Sequence, residues 1–334
     1  MKVVVTDYIE KDLNWEAGEM ARRGVEFAAH QLKFASTEDV LGATRDADVV
    51  VVNMVPVTAE LVDGWLRCRL VIRHGVGYDN VDLKALEAAG IPLCYIPDYC
   101  ADEVAEQTIA LIMACGRRLV RGRAVLDQSS VRGTWDFAPV VPISRMAGQI
   151  LGIIGCGRIG SLVYRRMKSF GFRILICDPY LSEERKAELG IETVGCERVF
   201  RESDFITLHT PLTAETRHIV NARSLSWMKR TAYLVNTARG HLLDAAALAE
   251  AVREGTIAGA GIDVFDVEPP PPDYPLFGLD NVILTPHLAW YSEDAGRRIR
   301  ELIVLEIDRF LAGEPPRYVA TAPAPKEDEQ CQLA

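Results

Sequence analysis

Apolar and polar positions fall into a repeating block along the chain: a short continuous apolar run, a turn, then a longer stretch with apolar residues at helical spacing. Val3–Val5, Val49–Val52, Leu70–Ile72 and Pro92–Ile96 form a first series of such runs. A second series follows at Ile150–Ile154, Ile174–Cys177, Phe205–Leu208, Tyr233–Asn236, Gly259–Val264 and Asn281–Leu284. Apolar runs that do not alternate with polar residues predict strands covered on both faces, hence two α/β units with doubly wound parallel sheets. Between the series, Asp102–Leu119 predicts a helix with Val104, Ile109, Ile112 and Met113 on its apolar stripe. Arg117, Arg118, Arg121 and Arg123 read as its basic, solvated C-terminal end. From Gln128 to Met146 the pattern is irregular, as in an arm or loop, and Ser292–Leu311 predicts a closing helix. The tail, 321–334, is Pro/Ala-rich and then charged, and is expected to be disordered.

Composition narrows the function classes. A chain of 334 residues fits two domains at about 100–200 residues each. With 37 basic against 47 acidic residues, the net charge of −10 argues against a nucleic-acid partner. No run reaches the ~18 apolar residues of a membrane span. Met1–Thr6 reads as a first strand rather than a signal peptide. The eight cysteines show neither a Cys-x-x-Cys pair nor zinc spacing, so they are expected to be buried reduced thiols of a cytoplasmic protein without a metal site.

The sharpest local signal is Gly155-Cys-Gly157-Arg-Ile-Gly160, which follows an apolar strand and opens a helix. Gly155 permits a tight turn, Gly157 lets the backbone approach a pyrophosphate, and Gly160 lets helix and strand pack closely. Asp178 ends the next strand, 18 residues beyond Gly160, where a carboxylate accepts ribose hydroxyls and repels a 2′-phosphate. The predicted cofactor is NAD. Hydride transfer to a 2-keto acid further needs a cation for the carboxylate, a proton donor for the forming alkoxide, and a group that tunes the donor. Arg239, Glu268 and His287 stand at the exits of consecutive strands downstream of the glycine loop. Each alone also suits a structural salt bridge, a solvated loop acid or a structural histidine.

These motifs occur in order with Gly75-Val-Gly77-Tyr-Asp-Asn-Val-Asp82, Leu208-His-Thr-Pro-Leu212, Asn236-Thr-Ala-Arg239-Gly240, Gly261-Ile-Asp263 and Thr285-Pro-His287. Over roughly residues 40 to 318 the chain resembles the D-isomer-specific 2-hydroxyacid dehydrogenase family, which includes phosphoglycerate dehydrogenase, glyoxylate/hydroxypyruvate reductase and the C-terminal-binding-protein corepressors. The segment from Thr285 to Glu293 looks most like the corepressor branch and its bacterial dehydrogenase relatives. The resemblance implies that His287 is the general acid and base, that Glu268 fixes its tautomer and favours the imidazolium, and that Arg239 clamps the substrate carboxylate and carbonyl. It implies further that the Val76 and Gly77 N–H groups bind the same carboxylate and that Arg158 and Ile159 face the pyrophosphate. On the same resemblance Thr210, Thr237, Ala238, Arg239 and His287 would line the cofactor, and Asp263 would meet its carboxamide. Formate chemistry is disfavoured, because the superfamily's formate dehydrogenases carry glutamine where this chain has Glu268.

The implied architecture is a Rossmann-like cofactor domain (102–290) inserted into a flavodoxin-like substrate domain (1–101 plus 291–320), with the active site in the cleft. The connecting helix and arm would build a homodimer. Trp290 could cap the substrate, with core packing as the alternative. His74 and His241 depart from the family pattern. His74 is a candidate substrate contact, and His241 either a loop histidine or a rim residue. Two further functions stay open: an NAD-sensing corepressor or scaffold with little turnover, and an enzyme for a sulfonated or phosphorylated hydroxyacid using Arg73 and His74. A complete Arg239/Glu268/His287 set favours an enzyme.

Overall fold

A computed structural model describes residues 1–321. The expected tail therefore lies, beyond Thr321, outside the described residues. The strands in chain order are β1 (Lys2–Val5), β2 (Glu26–Ala29), β3 (Val49–Val52), β4 (Leu70–Arg73), β5 (Leu93–Tyr95), β6 (Ile150–Ile154), β7 (Arg173–Cys177), β8 (Phe205–Leu208), β9 (Tyr233–Asn236), β10 (Gly259–Ile262), β11 (Val282–Leu284) and β12 (Val319–Ala320). The chain divides into two compact units, one of Met1–Cys100 with the described residues from Ser292 onward, the other of Ala101–Tyr291.

The first unit is a six-stranded sheet in the order β12-β5-β4-β3-β1-β2. Every pairing is parallel except that of β12 with β5. Its first five strands follow the flavodoxin-like order. Both sheet faces are covered, which is why the strands read as unbroken valine runs. Val3, Val5, Val49 and Val51 pack toward Met20, Ile303 and Ile307 on one face, while Val4, Val50, Val52 and Val71 pack toward Leu61, Trp65 and Leu86 on the other. Each such side chain contributes about 1.5–3 kcal/mol on burial. Two strands escaped the sequence pattern. β2 lies at the sheet edge with no buried residue, and β12 has two residues. Neither needs a continuous apolar run.

The second unit is an all-parallel sheet in the order β11-β10-β9-β8-β6-β7. The order reverses between β6 and β8, so a crevice opens beyond the carboxyl end of β6, where the glycine loop begins. Both units are thus doubly wound α/β sheets, Rossmann-like in the second.

Two expectations are corrected. The predicted helix 102–119 is two helices, Ala101–Gly116 and Leu119–Val131, broken where Arg118 takes the left-handed conformation (φ 50°). Arg121 and Arg123 therefore lie inside the second helix instead of capping the first. Arg121 bonds the Pro139 carbonyl and Asp280, and Arg123 pairs with Asp127. The expectation of reduced thiols throughout also fails, because Cys177 and Cys196 form a disulfide. A parallel bridge between Ile176 and Thr193 lays the segment before Cys196 alongside β7 and brings the two Cα atoms within 5.3 Å, a separation along the chain of 19 residues that no spacing rule flags. Cys68, Cys94, Cys100, Cys115 and Cys156 are free and buried, and Cys331 lies outside the described residues. Among the described residues no helix is long and apolar enough to cross a membrane.

Candidate active site

The dinucleotide loop is shaped by what its glycines touch. A Cβ on Gly155 would come within 2.6 Å of the His209 carbonyl oxygen, and one on Gly160 within 2.1 Å of the Gly155 oxygen. Gly155 also has φ +90°, which disfavours any side chain. A Cβ on Gly157 would meet nothing within 4 Å. Gly157 precedes the helix Arg158–Lys168 and gives it no side-chain cap, so the first N–H groups, at Arg158 and Ile159, lie at an open helix N-terminus. Asp178, at the end of β7, accepts from the Cys156 N–H at 2.7 Å and the Tyr180 N–H at 3.1 Å, tying the acid to the loop. Burial raises the Cys156 thiol to about 11, helped by the Asp178 charge, so it stays protonated. A glycine with open space beside it ahead of a helix N-terminus, and a carboxylate at the next strand tip, fit NAD.

At the other side of the same sheet edge, β9, β10 and β11 end in register: Ile262 pairs with both Asn236 and Leu284. Their exits deliver Arg239, the Asp263–Glu268 turn and His287. His287 Nδ1 lies 2.7 Å from Glu268 Oε2, and Glu268 Oε1 takes the Phe265 N–H at 3.0 Å. His287 sits in the left-handed region (φ 52°), a cost the neighbouring bonds offset. Its N–H reaches the Asp263 carbonyl at 2.7 Å, while the Asp263 carboxylate accepts from Leu288 N (3.2 Å), Ala289 N (2.9 Å) and the Thr285 hydroxyl. The imidazole is 41% exposed and its carboxylate partner 21%, so the ring is the more accessible of the two.

Arg239 joins them through Gly240. A Cβ on Gly240 would lie 1.9 Å from the Phe265 carbonyl carbon, so the Arg239 turn rests directly on the backbone beside Glu268. Asn236 clamps that turn, donating to the Arg239 carbonyl at 2.8 Å and accepting from the Ala238 N–H at 3.0 Å. The guanidinium, partly exposed, bonds the Ala238 carbonyl at 2.6 Å. Thr237 is buried against Thr108, hydroxyl to hydroxyl at 2.7 Å, and Gln107 donates to Thr285 at 3.3 Å. Sequence reading gives Asn236 only as the first residue of a motif, with no role, and does not single out Thr108 or Gln107. Their signal is position alone, at the end of β9 and in the helix Ala101–Gly116.

Thr210 lies half-buried just after β8, beside Gly155. Trp290 is half-buried, edge-on to Tyr291 at 5.2 Å, and is not part of the core. His241 lies partly buried in the 3-10 turn Gly240–Leu242. In the first unit, among the described residues, no backbone carbonyl takes the N–H of Val76 or Gly77. Arg73 lies beneath this loop, its guanidinium 2.6 Å from where a Gly75 Cβ would stand, and bonds the Asn53 amide oxygen at 3.2 Å. His74 turns its ring to Glu10, Nε2 to Oε1 3.2 Å, in a site only 10% exposed. Burial alone would raise the Glu10 carboxyl, but the hydrogen bond and charge of His74 hold it down at about 2.

Residues 109–289 match the family model for the D-isomer specific 2-hydroxyacid dehydrogenase, NAD binding domain. A glyoxylate reductase of Korarchaeum cryptofilum is 41% identical over 85% of this chain and 86% of its own length. A D-3-phosphoglycerate dehydrogenase of Methanocaldococcus jannaschii is 38% identical over 97% of this chain and 60% of its own length. The crystal structure of D-lactate dehydrogenase from Aquifex aeolicus, complexed with NAD and lactic acid, superposes with a TM-score of 0.82 at 30% identity, covering 93% of this chain and 96% of the other. The chain belongs to the D-isomer-specific 2-hydroxyacid dehydrogenase family, NAD-dependent oxidoreductases acting on CH–OH donors.

Proposed function

We propose that this chain interconverts a small 2-keto acid and its D-2-hydroxy acid, with His287 as the proton carrier, Glu268 as its orienting partner and Arg239 as the carboxylate and carbonyl clamp. The observation that carries this is the 2.7 Å bond between His287 Nδ1 and Glu268. With Nδ1–H held by the carboxylate, Nε2 is the nitrogen left to exchange a proton with substrate. NAD supplies the hydride donor or acceptor when bound. Gly155, Gly157 and Gly160 with the N–H groups of Arg158 and Ile159 would hold its pyrophosphate, and Asp178 its ribose. Thr210, Thr237, Ala238 and Asp263 would line the remainder. Asp263 is fully buried with three donors from the His287 loop on its carboxylate, so its part in that lining would be to hold the loop in place.

In the reductive direction Arg239 draws charge toward the carbonyl oxygen and His287 Nε2 delivers the proton there. In oxidation His287 takes the proton back. The Val76 and Gly77 N–H groups are the proposed further donors to the carboxylate, and Trp290 the proposed wall for the substrate side chain. Relatives named glyoxylate reductase and hydroxypyruvate reductase point to substrates with short side chains. NADH oxidation with glyoxylate, hydroxypyruvate, pyruvate and longer 2-keto acids tests the reading. Tight NADH binding without turnover on any of them would favour the scaffold function.

The partner proposed is a second copy of the chain. Val131, Trp135 and Phe137 are 91%, 85% and 68% exposed on the helix end and arm after Arg118, an apolar patch that a homodimer would cover. The compartment proposed is the cytoplasm, in keeping with five free buried thiols.

A further inference from the structure

We propose that Cys177–Cys196 is a reversible thiol–disulfide site whose state sets the affinity for NAD. This rests on the reading of Asp178 as the ribose acceptor. The cross-link ends β7 one residue before Asp178, and the carbonyl of Cys177 itself takes the Gly155 N–H at 2.8 Å. Asp178 in turn holds the Cys156 N–H of the glycine loop. The two cysteines bracket an excursion of the chain, 178–195, whose Leu181, Leu189, Ile191 and Val194 pack on the core only as partly buried side chains. Its helix, Glu183–Leu189, has no buried residue. Its return is held by one bridge, Ile176 to Thr193, and one hydrogen bond, Val194 N to Ile176 O at 2.8 Å. A segment whose apolar residues are only partly buried opens more readily than the core, so a covalent tie at its base bears on how often it does. The same excursion carries Arg185, whose guanidinium meets the Ser161 hydroxyl at 3.4 Å in the first turn of the dinucleotide helix. Loosening it therefore disturbs both the ribose acid and the helix end.

Access fits exchange with a dithiol reductant. Cys177 is 5% exposed, whereas Cys196 is half-buried at the start of a surface helix. A thiolate of the reductant attacks Sγ of Cys196; the S–S bond breaks, and its electron pair leaves on Sγ of Cys177, which takes a proton. The reductant's second thiolate then attacks the mixed disulfide, closes the reductant's own disulfide and releases Cys196, which is protonated in turn. Two electrons and two protons enter the protein. In a reducing compartment a disulfide of this kind is transient, as expected of a sensor rather than a staple.

The test is NADH titration of the full-length chain by fluorescence, before and after dithiothreitol, with non-reducing peptide mapping to establish the state of the Cys177–Cys196 link. Reduction is expected to raise the NADH Kd roughly 5–10-fold. Cys196→Ser is expected to match the reduced protein and to ignore the dithiol. Cleavage of the link with an unchanged Kd overturns the proposal, as does a Cys196→Ser chain that still responds to dithiol. If that variant does not fold, the wild-type comparison decides alone. Asp178→Asn separates the two readings: unchanged NADH affinity there removes the ribose assignment, whatever the dithiol does.

Discussion

Nδ1 of His287 lies 2.7 Å from Oε2 of Glu268, and the other oxygen of that carboxylate accepts the Phe265 N–H at 3.0 Å. The carboxylate is thereby pinned to its own turn before it pins the imidazole, so the ring orientation is set by backbone. Glu268→Gln keeps the size and one acceptor oxygen but loses the charge and presents an amide donor to one of its two N–H partners. It is expected to lower kcat by about 10–100-fold with little change in NADH Kd, read by steady-state kinetics beside a binding titration. Equal kcat in variant and wild type would remove Glu268 from the mechanism.

Asp263 is fully buried and gathers three donors from the His287 loop. In Asp263→Asn an amide NH2 must face at least one of those donors. We expect a loss of about 2–3 kcal/mol in urea unfolding together with a fall in kcat, because the loop that places His287 is no longer held. Unaltered stability would show that these bonds are not what fixes the loop.

Two glycines of the dinucleotide loop should respond in opposite ways. Gly157 has φ −71° and open space where a Cβ would go, so Gly157→Ala is expected to fold with stability within about 0.5 kcal/mol of wild type while weakening NADH about tenfold or more. Gly160→Ala drives a methyl to 2.1 Å from the Gly155 oxygen and is expected to cost about 1–3 kcal/mol in stability. Denaturation and NADH titration of both variants decide the matter, and similar behaviour would contradict the packing roles assigned to each.

Glu10 supplies a pH test of the first unit. Its carboxyl is held at about 2 against an ordinary value of 4.5, so its contribution is complete above about pH 4.5 and is lost as pH falls toward about 2. Wild type should exceed Glu10→Gln by about 1–2 kcal/mol at pH 5, a figure discounted for partial exposure, and the gap should close on acidification. A gap that stays constant from pH 5 to pH 3, measured by urea unfolding, would contradict the pairing with His74.

Trp135 and Phe137 stand largely exposed on the arm. Trp135→Glu with Phe137→Glu is expected to halve the mass seen by light scattering without unfolding the chain. A wild-type monomer would contradict the homodimer.

The sheets were legible because each central strand is buried on both faces and must be apolar throughout, as in Val49–Val52. The edge strand Glu26–Ala29 carries no such demand and left no trace. The helix break at Arg118 was hidden because a left-handed arginine has no sequence signature where glycine would have one. Arg239, Glu268 and His287 could be read as strand-end residues, but what holds them could not. Asn236, Thr108 and Gln107 act through contacts that only the fold creates. The Cys177–Cys196 link was missed for the same reason, since it depends on a segment returning along β7.

The most direct measurement is single-turnover NADH oxidation with glyoxylate and hydroxypyruvate, comparing wild type with His287→Gln at saturating cofactor. Wild type should turn over at least one of these acids, and His287→Gln should be slower by about 10²–10⁴-fold while binding NADH as tightly. A His287→Gln chain that reduces substrate at the wild-type rate would contradict the role of this histidine as proton carrier.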